Sequence, residues 1–243
     1  MKDGILLKTT LVDFPSVLSA AFFLPGCNLR CPYCQNRELV LGLSSPTEED
    51  NWCSLEELFA HLEKRKNILS GLVISGGEAL MNSKCKEILY RAKEMGYKTK
   101  VDTNGTFPQK LQEILKDKEL EPDFIALDVK TSPEKYLEKL LNFNNQAAAD
   151  SLAHKILESI EILSSLPPER REFRTVLVPS IVDETDIERI SNLLPPDAVW
   201  YMSHFSNASC LSPDFENIAP FSKDEEENFL KIARKKIKNT FLR

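Results

Sequence analysis

The chain has 243 residues, 42% hydrophobic and 28% charged, with a net charge of −6 at neutral pH and a pI near 5.3. Length and composition fit one globular domain with a substantial core, and the acidic balance argues against a nucleic-acid backbone as partner. No run reaches the roughly 18–20 apolar residues of a membrane span, and no basic region, apolar run and cleavage site open the chain, so a cytoplasmic address is expected.

Short branched or aromatic apolar runs alternate with stretches of helical period. The first predicted strand, Val17–Leu24, runs directly into Gly26–Cys34, which reads GCNLRCPYC. A helix over Ser54–Leu69 follows, opened by Ser54 ahead of Glu56 and Glu57. The second strand, Leu72–Ser75, leads into Gly76-Gly77-Glu78 and a helix over Ser83–Met95. The third, Lys98–Thr103, ends in Asp102-Thr103-Asn104-Gly105 and gives way to a helix over Pro108–Lys118. The fourth, Phe124–Lys130, closes on Asp128-Val129-Lys130; after it a polar loop, Asn142–Asp150, precedes a helix over Asp150–Leu166. The fifth, Glu172–Val178, carries Arg174 and is followed by a helix over Glu184–Leu194, with Asp183 as its start signal. The sixth, Ala198–Phe205, passes through an irregular connection, Ser206–Phe221, into a last helix, Lys223–Lys238. The basic residues of its last turns, Arg234 to Lys238, complement the helix dipole.

Strand followed by helix, repeated in this way, predicts a parallel sheet with right-handed crossovers. Six units are too few to close an eight-stranded barrel, so the expectation is an open, partial (β/α)6 TIM-like barrel in a single α/β domain. Its core spans residues 10–205 and a C-terminal helical extension spans 206–243. A flat doubly wound sheet is the alternative, because sequence does not fix strand order.

Cys27, Cys31 and Cys34 have the spacing Cys-x3-Cys-x2-Cys directly after a strand, and three thiolates so close can converge on one soft metal centre. A structural zinc site asks for a fourth protein ligand, and none of His61, His154 and His204 lies near in sequence. A [4Fe–4S] cluster held by three cysteines keeps one iron without a protein ligand, open to a small chelating molecule. Zinc, or three thiols close by chance, are the readings set against it. Pro32 restricts the loop and Tyr33 offers an aromatic edge beside it. Cys53, Cys85 and Cys210 are scattered and read as buried thiols, and His204 as a packed strand residue.

Polar groups follow several of the strands, which is where a barrel gathers its active site. Gly76 and Gly77 let the backbone approach a ligand closely, and Glu78 offers an anion for an ammonium group. A tight turn is the bland reading of this triplet, a hairpin that of Asp102–Gly105, and a strand-end salt bridge that of Asp128 and Lys130.

The cysteine motif resembles that of the radical S-adenosylmethionine (SAM) superfamily. The runs TLVDFPSVLSAAFFLPGCNLRCPYCQN, SGGEAL, VDTNGT, DFIALDVK and EFRTVLVP resemble its glycyl-radical-enzyme activating branch. Within that branch they are most similar to the activating proteins of anaerobic ribonucleoside-triphosphate reductase, over residues 10–205. The resemblance implies a cluster on Cys27, Cys31 and Cys34 whose open iron is chelated by the cofactor, with Tyr33 nearby. It implies that Gly76, Gly77 and Glu78 bind the cofactor's amino group and that Asp102 and Asn104 lie near its ribose. Asp102, Thr103 and Asp128 would offer oxygen ligands to a monovalent cation, and Lys130, with Arg174 behind it, would pair with the cofactor carboxylate.

The activity implied is one-electron cleavage of SAM to methionine and a 5′-deoxyadenosyl radical, which takes a hydrogen atom from a glycine of a partner glycyl-radical enzyme. A flavodoxin or ferredoxin would supply the electron. Asp13 is a candidate to line the opening for that partner. Ala79 stands where the family has proline, Gln35 where histidine is common, and Ser16 and Ser180 where glycine is common. The rival readings are a radical SAM enzyme of small molecules or nucleotides, an electron-transfer or zinc protein, and a non-catalytic adaptor.

Overall fold

The computed structural model describes residues 2–41, 51–141, 143 and 145–243. In chain order its elements are β1 (Gly4–Thr10), β2 (Ser19–Leu24), α1 (Arg37–Leu41), β3 (Trp52–Cys53), α2 (Leu55–Arg65) and β4 (Gly71–Gly76). Then come α3 (Cys85–Glu94), β5 (Lys98–Thr103), α4 (Pro108–Lys116), β6 (Phe124–Asp128), α5 (Tyr136–Leu141) and α6 (Gln146–Ser164). The chain finishes with β7 (Arg171–Leu177), α7 (Glu184–Leu193), β8 (Trp200–His204), α8 (Lys223–Arg234) and β9 (Thr240–Leu242). They divide into two compact units: the described residues of Met1–Asn28, Glu38–Thr103 and Gln109–Ile125, and those of Leu29–Arg37, Asn104–Pro108 and Ala126–Arg243.

In the first unit β2, β4 and β5 run parallel, with Ser19 opposite Gly71 and Gly71 opposite Lys98. The parallel arrangement buries β2 almost completely, as its run of small and aromatic side chains (SAAFFL) requires. Two antiparallel strands, unforeseen from sequence, extend this sheet: β1 pairs with β2 and β3 pairs with β1. Phe14, Ala21, Val73 and Phe124 form a buried cluster. The loop from β1 to β2 is tied by Thr10 Oγ1 donating to Asp13 Oδ2 at 2.5 Å, and Ser16 in it has a φ of +59°. Ser54 caps α2 reciprocally with Glu57, as the sequence signal requires.

In the second unit β7, β8 and β9 run parallel, with Trp200 opposite both Phe173 and Thr240. Trp200 and Phe173 are wholly buried, and Trp200 Nε1 donates to Thr175 Oγ1 at 3.0 Å, satisfying its one polar atom. Capping boxes open α7 at Asp183 and α8 at Ser222.

The last predicted helix stops at Arg234 rather than Lys238, and β9 follows it. The predicted loop over Asn142–Asp150 is corrected in part. Asn145 caps α6 by accepting from the Ala148 amide at 3.0 Å, so Gln146–Asp150 are helical. Asn142 and Asn144 lie outside the described residues. The short helix α5 was also unforeseen.

Candidate functional site

In the first unit β4 ends at Gly76, whose φ of +121° suits glycine. The chain then folds back on the segment after β2: the Gly77 amide donates to Leu24 O at 2.9 Å and the Glu78 amide to Gly26 O at 2.8 Å. A Cβ at Gly77 would stand 2.1 Å from Gly26 O and 3.1 Å from Cys27 Cβ; at Gly76 it would stand 2.3 Å from Leu24 O. The glycine pair therefore has a reason that the sequence did not disclose, which is close packing against the protein's own backbone just ahead of Cys27.

Glu78 is 1% exposed. Its Oε1 accepts from Thr103 Oγ1 at 2.8 Å and from the Leu80 amide at 3.1 Å. Two expected site residues, Glu78 and Thr103, are thus brought together. Asp102 accepts from Ser75 Oγ at 3.0 Å and faces Lys100 Nζ at 2.9 Å. Lys100 is 1% exposed and also donates to Asp13 O at 2.6 Å. Sequence reasoning missed Lys100, although its place two residues before Asp102 in a strand put both on one face. Asp13, a candidate to line an opening, is held by Thr10 and Lys100.

In the second unit the Cys34 amide donates to Cys31 O at 3.0 Å, closing a tight turn around Pro32 and Tyr33. Tyr33 is buried, and its hydroxyl has no hydrogen-bond partner among the described residues. An unsatisfied buried hydroxyl costs about 1–3 kcal/mol, and a ligand acceptor would recover it. Burial pushes the phenol well above its ordinary pKa, so it is a donor.

Asp128, at the end of β6, accepts from Arg174 Nε on β7 at 2.7 Å and from Lys130 Nζ at 3.2 Å. Burial would raise its pKa, but Arg174 first and Lys130 second outweigh that and hold it well below the carboxylate range. Burial likewise disfavours the charged Lys130, yet Asp128, then Tyr33 and Cys31, keep the ammonium well above its ordinary value. The strand-end salt bridge is thus present, and Arg174, expected to face a cofactor carboxylate, binds Asp128. Asn104 serves a turn: its Oδ1 accepts from the Thr106 amide at 3.0 Å and from Thr106 Oγ1 at 2.6 Å.

All six cysteines are free thiols; Cys27 and Cys34 are half-buried, and Cys31, Cys53, Cys85 and Cys210 are buried. Burial pushes Cys53 up to about 11 and Cys85 up to about 12, leaving both protonated and poor metal ligands at neutral pH. The loop cysteines Cys27, Cys31 and Cys34, by contrast, include half-exposed thiols beside a tight turn, a donor chemistry that fits iron–sulfur ligation. Among the described residues no three His, Cys, Asp or Glu side chains are grouped to hold a single metal ion, and none of the helices is long and apolar enough to cross a membrane.

A model of the Radical SAM superfamily matches residues 22–191. A Methanocaldococcus jannaschii protein, provisionally named a glycyl-radical enzyme activating enzyme, is 32% identical over 242 residues, 99% of this chain and 95% of its own. The pyruvate formate-lyase-activating enzyme of Clostridium pasteurianum is 28% identical over 188 residues, 76% of this chain and 72% of its own. Among solved structures, QueE from Escherichia coli aligns over 100% of this chain and 93% of its own, at a TM-score of 0.52 and 15% identity. SuiB from Streptococcus suis, bound to S-adenosylmethionine, aligns over 89% and 48%, at a TM-score of 0.60 and 12% identity. At those identities the likeness is one of fold, a mixed α/β arrangement with the parallel strands an open partial barrel requires.

Proposed function

We propose, from the premise that this chain belongs to the radical SAM superfamily and is homologous to its glycyl-radical enzyme activating enzymes, that it installs a glycyl radical on a partner protein. In this reading Cys27, Cys31 and Cys34 would hold a [4Fe–4S] cluster, and three protein thiolates would leave one iron open to SAM. Bound together, the two groups supply the one-electron chemistry that hydrogen abstraction from glycine needs.

The chain's own residues bind and orient. Lys130, kept charged by Asp128, pairs with the cofactor carboxylate, and Arg174 fixes Asp128 from the other side. Glu78 receives the cofactor ammonium while Thr103 and the Leu80 amide hold its carboxylate still. The Tyr33 ring and hydroxyl, with Asp102 and Asn104, complete the contacts. The single observation that carries the reading is the seat of Gly77 against Gly26, which fixes the backbone ahead of Cys27 where a side chain would displace it.

Asp102, Thr103 and Asp128 remain proposed oxygen donors for a monovalent cation, in competition with Lys100, Lys130 and Arg174. Cofactor affinity that is higher in potassium or sodium than in tetramethylammonium salt is expected; equal affinity in all three removes the cation from the site.

The partner we propose is an anaerobic ribonucleoside-triphosphate reductase, supported by the runs TLVDFP, VDTNGT and DFIALDVK. Pyruvate formate-lyase is the second reading, favoured by the names of relatives. Reconstituted enzyme, SAM and a one-electron reductant such as reduced flavodoxin should raise a glycyl doublet in the paramagnetic resonance of the reductase, with matching 5′-deoxyadenosine. The doublet on formate-lyase alone would establish the second reading. Turnover of a small metabolite with neither protein radicalised would overturn both.

A further inference from the structure

The strand β6 stops at Asp128, yet the chain stays bonded to β7 one residue further, where the Val129 amide donates to Arg174 O at 2.8 Å and Val129 O accepts from the Thr175 side chain, Oγ1, at 2.7 Å. Because both backbone groups of Val129 face β7, the Asp128 carbonyl and the Lys130 amide face the opposite edge of the chain. A single atom satisfies both there. The Tyr136 hydroxyl accepts from the Lys130 amide at 2.8 Å and donates to Asp128 O at 3.3 Å. In a parallel ladder one residue of a neighbouring strand does this, accepting from residue i+1 and donating to residue i−1. Here a phenol replaces it.

We infer that Tyr136 is a positioning residue, a one-atom substitute for a neighbouring strand that keeps extended geometry through Lys130. Extended geometry matters because residues two apart then project from one face, which is where the Asp128 carboxylate and the Lys130 ammonium meet at 3.2 Å. Without the hydroxyl the Lys130 peptide is free to turn, and the ammonium leaves that face. Tyr136 is suited to the task. It is wholly buried and starts α5, so the ring is anchored, and burial holds the phenol well above its ordinary pKa and therefore protonated. The inference rests on the reading that Lys130 binds the cofactor carboxylate, but one of its tests does not.

That test is amide exchange in wild-type and Tyr136→Phe protein, which keeps the ring and removes only the hydroxyl. In wild type the Lys130 amide should be protected although no backbone carbonyl accepts it; in the variant it should exchange at least about tenfold faster, while the Val129 amide stays unchanged. An unprotected Lys130 amide in wild type, or equal rates in the two proteins, overturns the inference whether or not the variant folds well. The second test is calorimetric titration of reconstituted protein with SAM. Tyr136→Phe should weaken binding about three- to tenfold at unchanged iron content, the scale of one hydrogen bond, and Lys130→Ala should weaken it more. If Lys130→Ala binds as wild type, the carboxylate reading fails and the exchange result alone decides on Tyr136. If Lys130→Ala weakens binding and Tyr136→Phe leaves it unchanged, the positioning role fails.

Discussion

A single methyl group is enough to test the seam between Gly77 and the chain beside it. Its carbon would lie 2.1 Å from the Gly26 carbonyl oxygen and 2.6 Å from the carbonyl carbon, and backbone atoms cannot rotate aside as a flexible side chain can. Gly77→Ala should therefore shift Gly26 and Cys27, and reconstituted variant should lose half or more of the wild-type iron. Wild-type iron with only cofactor binding impaired would show that Gly77 serves the ligand and not the loop. The sequence announced Gly76-Gly77-Glu78 as a site because glycine pairs before a carboxylate suit close approach. It did not say what approaches, since nothing in a linear motif reveals which backbone lies opposite. Lys100 and Tyr136 escaped for a related reason. Neither belongs to a polar strand ending, and each acts through a partner distant in sequence (Asp13) or through backbone atoms (Asp128 and Lys130).

At the level of elements, legibility followed burial. The six predicted strands correspond to β2, β4, β5, β6, β7 and β8; all but β8 are rich in buried residues, and β8 alternates, with Trp200 and Met202 buried. A strand buried on both faces reads as an apolar run whatever its neighbours are. The strands that were missed lack that signature. In β1, three successive residues, Leu7, Lys8 and Thr9, are exposed after an alternating start, and its pairing shifts register between Leu7 and Thr10. β3 and β9 have two and three residues, too short for any period to register. Helix starts were legible where a capping box announces them, at Ser54 and Asp183. The start of α6 was not, because its cap is an asparagine inside a polar run that looks like loop throughout. Most of the expected site residues were named from strand endings, because a chain leaving a buried strand is where polar groups first become affordable.

For the molecule as a whole, the Arg174–Asp128–Lys130 group makes stability depend on acid in a defined direction. The folded pKa of Asp128 lies below its unfolded value of about 3.9. Its contribution is thus fully present above that value and is lost as pH falls towards the folded pKa. Asp128→Asn leaves two cations without their carboxylate, so the variant should be less stable at neutral pH. The difference from wild type should stay level above about pH 5 and narrow below about pH 4. Denaturant unfolding of both proteins across that range checks it; a gap that stays constant down to pH 2.5 would mean that the carboxylate contributes by packing alone. Because Asp128 is 30% exposed at its side chain, solvent tempers the size of the effect but not its sign.

Neither compact unit is a continuous stretch of chain: the path changes unit after Asn28, Arg37, Thr103, Pro108 and Ile125. A ribosome delivers residues in one direction only, so Cys27, Cys31 and Cys34 emerge ahead of most of either unit. The first unit lacks its last segment until Ile125 has been made, and the second lacks β9, the partner of β8, until Thr240–Leu242 have been made. Until Ile125 has been made the three thiols belong to a polypeptide that can complete neither unit, and until β9 has been made the unit that holds Cys31 and Cys34 stays unfinished, so iron is best delivered to the finished protein rather than to the nascent one.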